Sequence, residues 1–159
     1  MIVDDYTSAY YVFFIKTKDQ VFSMFKTFHK YIQTALGYHL RNIRSNQGGE
    51  FLSKEFEAYI HEQGLGQQLT APDTPMQNGC AEHANRTIVE SARAMLHHAG
   101  MTYGFWEFAV ATATYVRNHS PHRSNGYISP YERLMGYAPE TAYFKVFRCL
   151  AYRHIHKDH

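Results

Sequence analysis

The sequence predicts an α/β domain in which helices and strands pack in layers. One observation supports this class, and a second supports a single folded domain. The hydrophobic patterns run in the order strand, strand, helix, strand, helix, strand, and then several helices. The chain has 159 residues, of which 45% are hydrophobic and 16% aromatic. This is enough for one domain with a proper core, and the composition is that of a globular chain and not of a disordered one.

The first three elements are two strands and a helix. Residues 1–5 are typical of the end of a strand, and the aromatic and β-branched residues of 9–15 predict a second strand. The short, mostly polar segment between them, residues 5–8, suits a tight hairpin. A helix is predicted over residues 18–36, with Gly37 ending it. Its apolar face is formed by Val21, Phe25, Phe28, Ile32 and Leu36.

The middle of the chain continues with short elements. A strand over residues 39–44 is predicted to place Asn46 at its carboxyl end. Ser53 is a good N-cap for a helix that runs to Gln63 and ends at Gly64. A weak strand follows over 65–69, and the prolines and polar residues of 70–78 predict a loop.

The last part of the chain is mainly helical. A long helix is predicted over residues 79–99, and its apolar stripe consists of Ala81, Ala84, Ile88, Ala92 and Met95. A nearly all-apolar helix follows over 105–118, and residues 121–126 are predicted to form a loop. Pro130 opens a short helix at its first position, after Ser129. Residues 143–154 indicate a strand or an extended tail. We divide the chain into a core domain, residues 1–140, and a C-terminal extension, residues 141–159.

Charge and cysteine content exclude several classes of protein. The net charge of +2 is only weakly basic, so charge alone gives little support for nucleic-acid binding. Cys80 and Cys149 build neither a disulfide framework nor a zinc finger. The longest apolar run, residues 105–116, is too short to span a bilayer. We therefore expect a soluble intracellular protein.

Two short motifs carry the functional signal. The first is S-N-Q-G-G-E-F at residues 45–51, and the second is T-P-M-Q-N-G-C-A-E at 74–82. Thirty-five residues separate Asn46 from Glu82. This pair resembles the second half of the catalytic signature of integrases from copia-type long-terminal-repeat retrotransposons. Further segments resemble the same family in the correct order, namely residues 4–7, 69–72, 85–87, 129–132 and 146–152.

The resemblance implies a ribonuclease-H-like three-layer fold, with a mixed sheet flanked by helices. It also implies DNA integration by metal-dependent strand transfer, with three carboxylates holding two Mg²⁺ or Mn²⁺ ions. Such a pair of metals stabilises the attacking and leaving oxygens of a phosphodiester.

The chain departs from the family at the catalytic positions. Asn46 stands where the family has its second aspartate, and a neutral amide cannot replace an anionic bridging ligand. The strand with the first aspartate is expected upstream of residue 1, so the fold would lack its first strand. Only Glu82 remains of the three carboxylates. We therefore predict a degenerate, catalytically inactive core that does not bind the metal functionally; Glu82 is the single candidate ligand. Arg148 also stands where the family usually has glycine.

Residual nucleic-acid binding is predicted through Arg86, Arg93, Lys54 and Asn85. Glu82, Arg86 and Arg93 share one helical face. An integrase would work in the nucleus, and a homo-oligomer is also expected. The alternative is a non-catalytic structural or interaction domain that keeps the fold and uses the apolar helix at 105–118 as a dimer surface.

Several of these residues also have simpler interpretations. Glu82 could form an ordinary surface pair with Arg86, four residues later. Asp4 and Asp5 could substitute for lost ligands, but a hairpin turn is the preferred interpretation. Gly48 and Gly49 suit a tight turn better than a phosphate loop. The histidines at 97, 98, 154 and 156 lack partners at metal-ligand spacing, which favours a solvated surface.

Overall fold

The computed structural model describes residues 1–70 and 75–152 of the chain. These residues form two compact units, each of which is described by itself. The first unit comprises Met1–Val12 together with the chain from Ala84 onward, and the second comprises Phe13–His83. The described strands pair as two separate two-stranded sheets, one in each unit.

The first unit opens with a short antiparallel hairpin. Strand β1 is Ile2–Val3 and strand β2 is Tyr10–Tyr11, in a register that pairs Ile2 with Tyr11 and Val3 with Tyr10. The hairpin confirms the predicted pair of strands, but β2 is much shorter than the predicted 9–15. Phe13 already belongs to the second unit, where its ring packs edge-on against Phe28. The aromatic run is therefore divided between two cores.

The second unit contains two helices and a parallel pair of strands. Helix α1 is Gln20–Ala35, strand β3 is Asn42–Ser45, helix α2 is Lys54–Glu62 and strand β4 is Gly66–Leu69. The register of the pair runs from Asn42 opposite Gly66 to Ser45 opposite Leu69. Strand β3 ends one residue later than predicted, immediately before Asn46.

Aromatic rings fill the core of the second unit. Phe56 of α2 is completely buried, and its ring lies 5.3 Å from Phe25 and 5.7 Å from Phe22, both on α1. The predicted N-cap of α2 is confirmed, because Ser53 Oγ accepts a hydrogen bond from the Phe56 N–H at 3.3 Å. Edge-to-face and tilted ring pairs of this kind stabilise a core beyond their buried area.

The long helix α3 spans Pro75–Ala99, so its beginning differs from the prediction. Residues 75–78 are helical and not part of a loop, while 71–74 lie outside the described residues. Proline fits the first helical position because the N–H it lacks would have no intrahelical partner there. The predicted stripe is confirmed at its centre, since Ala84, Ile88 and Ala92 are buried.

Helices α3 and α4 build the core of the first unit. Helix α4 is Trp106–His119, and α5 is Pro130–Met135 with Ser129 as its N-cap. The core joins buried residues of β2, α3 and α4, namely Tyr10, Ala84, Ile88, Ala92, Leu96, Ala109, Val110 and Ala113. The predicted helices at 105–118 and after Ser129 are thus confirmed.

The segment after α5 contains no strand within its described part. A single 3-10 turn spans Thr141–Tyr143, and the chain then continues to residue 152 without regular structure. The alternation over 143–152 therefore forms no strand, and the segment is not fully extended, because the Cys149 N–H donates to the Val146 carbonyl at 2.9 Å and closes a turn. Residues 153 and 154 of that prediction lie outside the described range. Among the residues that the structure covers, no helix is long and apolar enough to cross a membrane. The division at residue 140 stays a prediction.

Candidate functional site

Asn46 lies just after the carboxyl end of strand β3. The strand is held there by the pairing of Ser45 with Leu69 and by the Thr70 N–H, which donates to the Ser45 carbonyl oxygen at 3.0 Å. The Asn46 side chain is exposed, and its Oδ1 accepts a hydrogen bond from the Gly48 N–H at 3.2 Å. The oxygen that would replace a carboxylate ligand is therefore used to close a local turn.

The residues after Asn46 form a tight turn, as predicted for Gly48 and Gly49. A 3-10 turn spans Gly49–Phe51, and the Phe51 N–H donates to the Gly48 carbonyl at 2.9 Å. A Cβ atom added at Gly48 would lie 2.8 Å from the Glu50 carboxylate, which is closer than real Cβ contacts. The Gly48 backbone has an ordinary φ of −59°, and the contact is with the far end of the flexible Glu50 side chain, so a larger residue at 48 would require only that this side chain shifts.

Gln47 is a site residue that the sequence did not reveal. Its Nε2 donates to the Thr70 carbonyl oxygen at 3.2 Å, which ties the turn to the end of strand β4. The contact exists because β3 and β4 lie side by side in parallel register. No local sequence signal indicates it, since the two residues are 23 positions apart.

Glu82 lies in the first half of helix α3 with an exposed side chain. Among the described residues it makes no salt bridge with Arg86, so the predicted alternative of a surface pair is not formed at contact distance. No described contact joins Glu82 to Asn46 either. The structure places the two motif residues on separate elements, at the end of β3 and on α3, without recording a direct interaction.

The residues at the two motif positions do not fit a two-metal site. Glu82 offers one carboxylate, whereas Asn46 offers a neutral oxygen that already accepts the Gly48 N–H. Magnesium prefers anionic oxygen ligands in octahedral array. Within residues 1–70 and 75–152, no group of three or more His, Cys, Asp or Glu side chains is placed to hold a metal ion. The donor set therefore lacks the charge that such a site requires.

Asp4 is a turn residue, as the preferred interpretation predicted. Its Oδ2 accepts hydrogen bonds from the N–H of Thr7, at 2.7 Å, and from the Thr7 hydroxyl. The backbone of the same turn is closed by the Ser8 N–H, which donates to the Asp4 carbonyl at 2.9 Å. The Asp4 carboxylate is thus committed to the hairpin between β1 and β2.

The candidate nucleic-acid-binding side chains are all exposed. Asn85, Arg86 and Arg93 lie on α3, and Lys54 is the first residue of α2. No hydrogen bond or ion pair is recorded for Arg86 or Arg93 in the described part of the chain. The buried side of α3 carries Ala84, Ile88, Ala92 and Leu96. His97 and His98 are also exposed, which fits the predicted solvated surface, while His154 and His156 lie outside the described residues.

Comparison with known proteins gives the chain several curated relatives. It is 40% identical over 156 residues to the retrovirus-related Pol polyprotein from transposon TNT 1-94 of Nicotiana tabacum. It is 30% identical over 152 residues to the corresponding polyproteins from transposons RE1 and RE2 of Arabidopsis thaliana. These matches cover 96–98% of the chain but only 10–12% of the relatives. No protein-family model matches the chain.

A solved structure with a similar fold is the HTLV-2 integrase catalytic core domain in complex with magnesium, in a trimeric form. The TM-score is 0.63 at 19% sequence identity, and the match covers 83% of this chain and 80% of the other. At this identity the match shows the fold, which is the ribonuclease-H-like fold expected from the motifs. The homologous polyproteins and this fold together confirm the resemblance to copia-type integrase cores.

Proposed function

Because the chain corresponds to an integrase-like region of retrotransposon Pol polyproteins, we propose that it is a catalytically inactive integrase core that still binds nucleic acid. The relatives are polyproteins of which the chain spans about a tenth. The proposal concerns this region alone. It separates two properties of an integrase core, namely strand transfer, which needs the metal ligands, and attachment to the phosphate backbone, which needs exposed cations.

One observation carries the catalytic part of the proposal. Asn46 occupies the position of the second aspartate in the motif, and its only side-chain oxygen accepts the Gly48 N–H. An amide brings no negative charge to a site that must balance two divalent cations. Glu82 alone leaves that charge uncompensated. Strand transfer through this pair of positions is therefore not supported by the residues that are present.

Exposed basic side chains of α3 support the nucleic-acid part. Steps of four and eleven residues return close to the same angle around a helix, so Glu82, Arg86 and Arg93 share one face. The opposite side of α3 is buried in the core. Arginine side chains without a protein partner can donate to phosphate oxygens. Glu82 and Glu90 lie among them, so we expect weak and salt-sensitive binding that is not specific for sequence.

A strand-transfer assay with Mg²⁺ or Mn²⁺ tests the catalytic part. We expect no joining of donor ends to a target duplex by the chain, and no difference between the chain and its Glu82→Gln variant. An active integrase assayed beside them shows that the donor and target are competent. Joining above background that Glu82→Gln abolishes would overturn the proposal, because it would show a working carboxylate site.

A second function, self-association, is favoured by the exposed apolar side chains near α4. Phe108 is 66% exposed and Tyr103 is 73% exposed, while Phe105 lies beside Phe108 with ring centroids 6.3 Å apart. Exposed aromatic groups of this kind are typical of interaction surfaces. The integrase core of similar fold is itself described as trimeric.

Phe108→Glu separates self-association from nucleic-acid binding. If α4 joins copies of the chain, sedimentation should show an assembly of the unmodified chain that dissociates in this variant. Duplex binding with a negative slope of log affinity against log salt concentration supports the nucleic-acid function instead. An absence of binding even at low salt would refute that function.

A further inference from the structure

Charge is distributed very unevenly along the second unit. Between Asp19 and Glu50 the sequence contains no acidic residue, whereas residues 50–62 contain four glutamates and a single lysine. The acid-free stretch includes helix α1 and strand β3, and four of its side chains carry a fixed positive charge: Lys26, Lys30, Arg41 and Arg44. The modest net charge of the whole chain conceals this local excess, because the glutamates that follow cancel it.

All four cations of this stretch are exposed. We call these four side chains together the α1–β3 basic surface. Lys26 and Lys30 lie four residues apart on α1, which places them on one helical face about 6 Å apart along the axis. The buried side of the helix carries Phe25, Phe28 and Ile32. The two lysines therefore project away from the core that holds the helix in place.

No salt bridge neutralises these cations in the described part of the chain. Arg44 donates through Nε and Nη2 to the Gln68 side-chain oxygen, at 3.3 and 3.2 Å, and this partner is neutral. Lys26 Nζ lies 4.4 Å above the Phe22 ring, which leaves its charge in place. The neighbouring hydroxyls of Ser23 and Thr27 donate to carbonyls of their own helix. They are small and leave the lysines uncovered.

We propose that the α1–β3 basic surface binds the phosphate backbone of double-stranded nucleic acid. Duplex DNA carries about one negative charge per 1.7 Å of its axis, and lysines that neutralise phosphates release condensed counterions. Exposed cations on a helix and a strand that contain no acidic residue of their own are complementary to such a polyanion. The inference rests on the proposed nucleic-acid function but assigns it to a surface other than that of Arg86 and Arg93.

The acidic helix α2 of a second copy is the competing occupant. Its exposed carboxylates, Glu55, Glu57 and Glu62, are opposite in charge to the lysines of α1. Nucleic acid fits better because each duplex presents a continuous line of charge, whereas α2 offers a few carboxylates within nine residues. Binding to a second copy would also predict self-association that weakens with salt, which the experiment measures separately.

The experiment compares three double variants of the full chain in duplex binding measured by fluorescence anisotropy. Lys26→Gln with Lys30→Gln removes two charges from the α1–β3 basic surface, and glutamine keeps the helix propensity. Arg86→Gln with Arg93→Gln removes two from α3. Arg123→Gln with Lys145→Gln removes two exposed charges elsewhere and is the control. Circular dichroism and sedimentation check the fold and the oligomeric state of each.

Two lost phosphate contacts should lower the salt slope by about 1.8. The affinity deficit of the Lys26→Gln, Lys30→Gln variant should then be about tenfold larger at 50 mM than at 200 mM salt. The control should follow the unmodified chain. The inference is overturned if the lysine variant binds like the control, or if it changes only the sedimentation.

The α3 variant distinguishes the two proposals. A deficit in the α3 variant alone would refute the α1–β3 basic surface and leave the proposed function intact. A deficit in the lysine variant alone would support the surface and remove the role proposed for Arg86 and Arg93. If the unmodified chain binds no duplex at low salt, both proposals are wrong.

Discussion

Arg148 Nη1 donates a hydrogen bond to the carbonyl oxygen of Ala99, the last residue of helix α3, at 2.5 Å. The last carbonyls of a helix have no intrahelical partner, and a cation there also complements the helix dipole. The Met101 and Gly100 N–H groups bond the Leu96 and His97 carbonyls, at 3.0 and 3.1 Å. Arg148 thus completes the end of the helix with a side chain from the C-terminal tail.

The backbone of Arg148 has a φ of 72°, in the left-handed region that favours glycine. The resemblance to the copia-type pattern implies glycine at this position, and the positive φ is a backbone conformation that suits glycine. A non-glycine residue in this region costs about 1–3 kcal/mol. The hydrogen bond to Ala99 offsets part of that cost.

Substitutions of Arg148 should separate two effects on stability, that of the strained backbone at 148 and that of the hydrogen bond to Ala99. Arg148→Ala keeps the strain and loses the hydrogen bond, so it should lower the free energy of unfolding by about 1–2 kcal/mol. Arg148→Gly loses the same bond but relieves the strain, and should be more stable than Arg148→Ala. Urea titrations of the two variants measure which has the higher free energy of unfolding. A glycine variant less stable than the alanine variant would contradict the strain argument.

Asn118 of α4 closes the outer edge of strand β2. Its Oδ1 accepts from the Tyr10 N–H at 2.9 Å, and its Nδ2 donates to the Tyr10 carbonyl at 2.8 Å. The side-chain amide therefore takes the place of a neighbouring strand. Asn118→Leu leaves two buried backbone groups unpaired, at about 1–3 kcal/mol each. Denaturant unfolding should show a large loss, whereas Asn85→Leu, at an exposed position of α3, should change little. Equal effects of the two substitutions would refute this role.

The buried position of His29 leads us to expect that the stability of the second unit depends on pH. The side chain is 1% exposed; Nδ1 lies 2.9 Å from the Tyr59 hydroxyl, and Nε2 is buried without a described hydrogen-bond partner. Burial lowers the pKa of His29 below its ordinary value of 6.5, and the positive charge of His39 lowers it further. Protonation would bury a charge together with an unpaired N–H.

The sign of the pH effect follows from this lowered pKa. The unfolded chain binds a proton at His29 near pH 6.5, while the folded chain resists it. The stability due to neutral His29 is complete above pH 6.5 and is lost as the pH falls toward the folded pKa. Unfolding free energies of His29→Gln should decline less than those of the unmodified chain between pH 6.5 and more acidic conditions. The exposed His61→Gln serves as the control. If the unfolding free energy of His29→Gln falls with pH as steeply as that of the unmodified chain, then groups other than His29 determine the pH dependence of stability.

Local signals in the sequence predict the helices well because their causes are local. The caps at Ser53 and Ser129 and the buried face of α1 require only neighbouring residues. Helix α3 begins four residues before the predicted start at Gly79, because Pro75 suits a first helical position. Asn118 could not be recognised, because its partner Tyr10 is 108 residues away. Likewise, Gln47 depends on the parallel register of β3 and β4.

The candidate site is predictable in its residues but not in its contacts. The motif spacing identifies Asn46 and Glu82, and the loss of charge at Asn46 follows from the sequence. The hydrogen bond from Gly48, which commits the Asn46 oxygen to a turn, depends on the backbone after β3. The net charge of the chain does not reveal the α1–β3 basic surface, because the glutamates of helix α2 cancel its positive charges.

The last prediction concerns Asn46→Asp, which restores the carboxylate of the motif. An aspartate oxygen can accept the Gly48 N–H as the amide does, so the variant without metal should unfold within about 0.5 kcal/mol of the unmodified chain. Asn46→Leu cannot accept this bond and should be less stable. Comparing the unfolding free energies of Asn46→Asp and Asn46→Leu without metal measures the contribution of the turn alone.

With Mn²⁺ the same variant tests whether Asn46 and Glu82 form one site. A second carboxylate supplies the negative charge that the site lacks, and an ion that binds only the folded chain stabilises it in proportion to RT ln(1 + [L]/Kd). We expect Mn²⁺ to raise the melting temperature of Asn46→Asp but not that of the unmodified chain. Adding Glu82→Gln should remove the rise, because that change returns the pair to one carboxylate. A Mn²⁺ effect that survives Glu82→Gln would show that the ion binds elsewhere, and the assignment of these two residues to one ancestral metal site would be wrong.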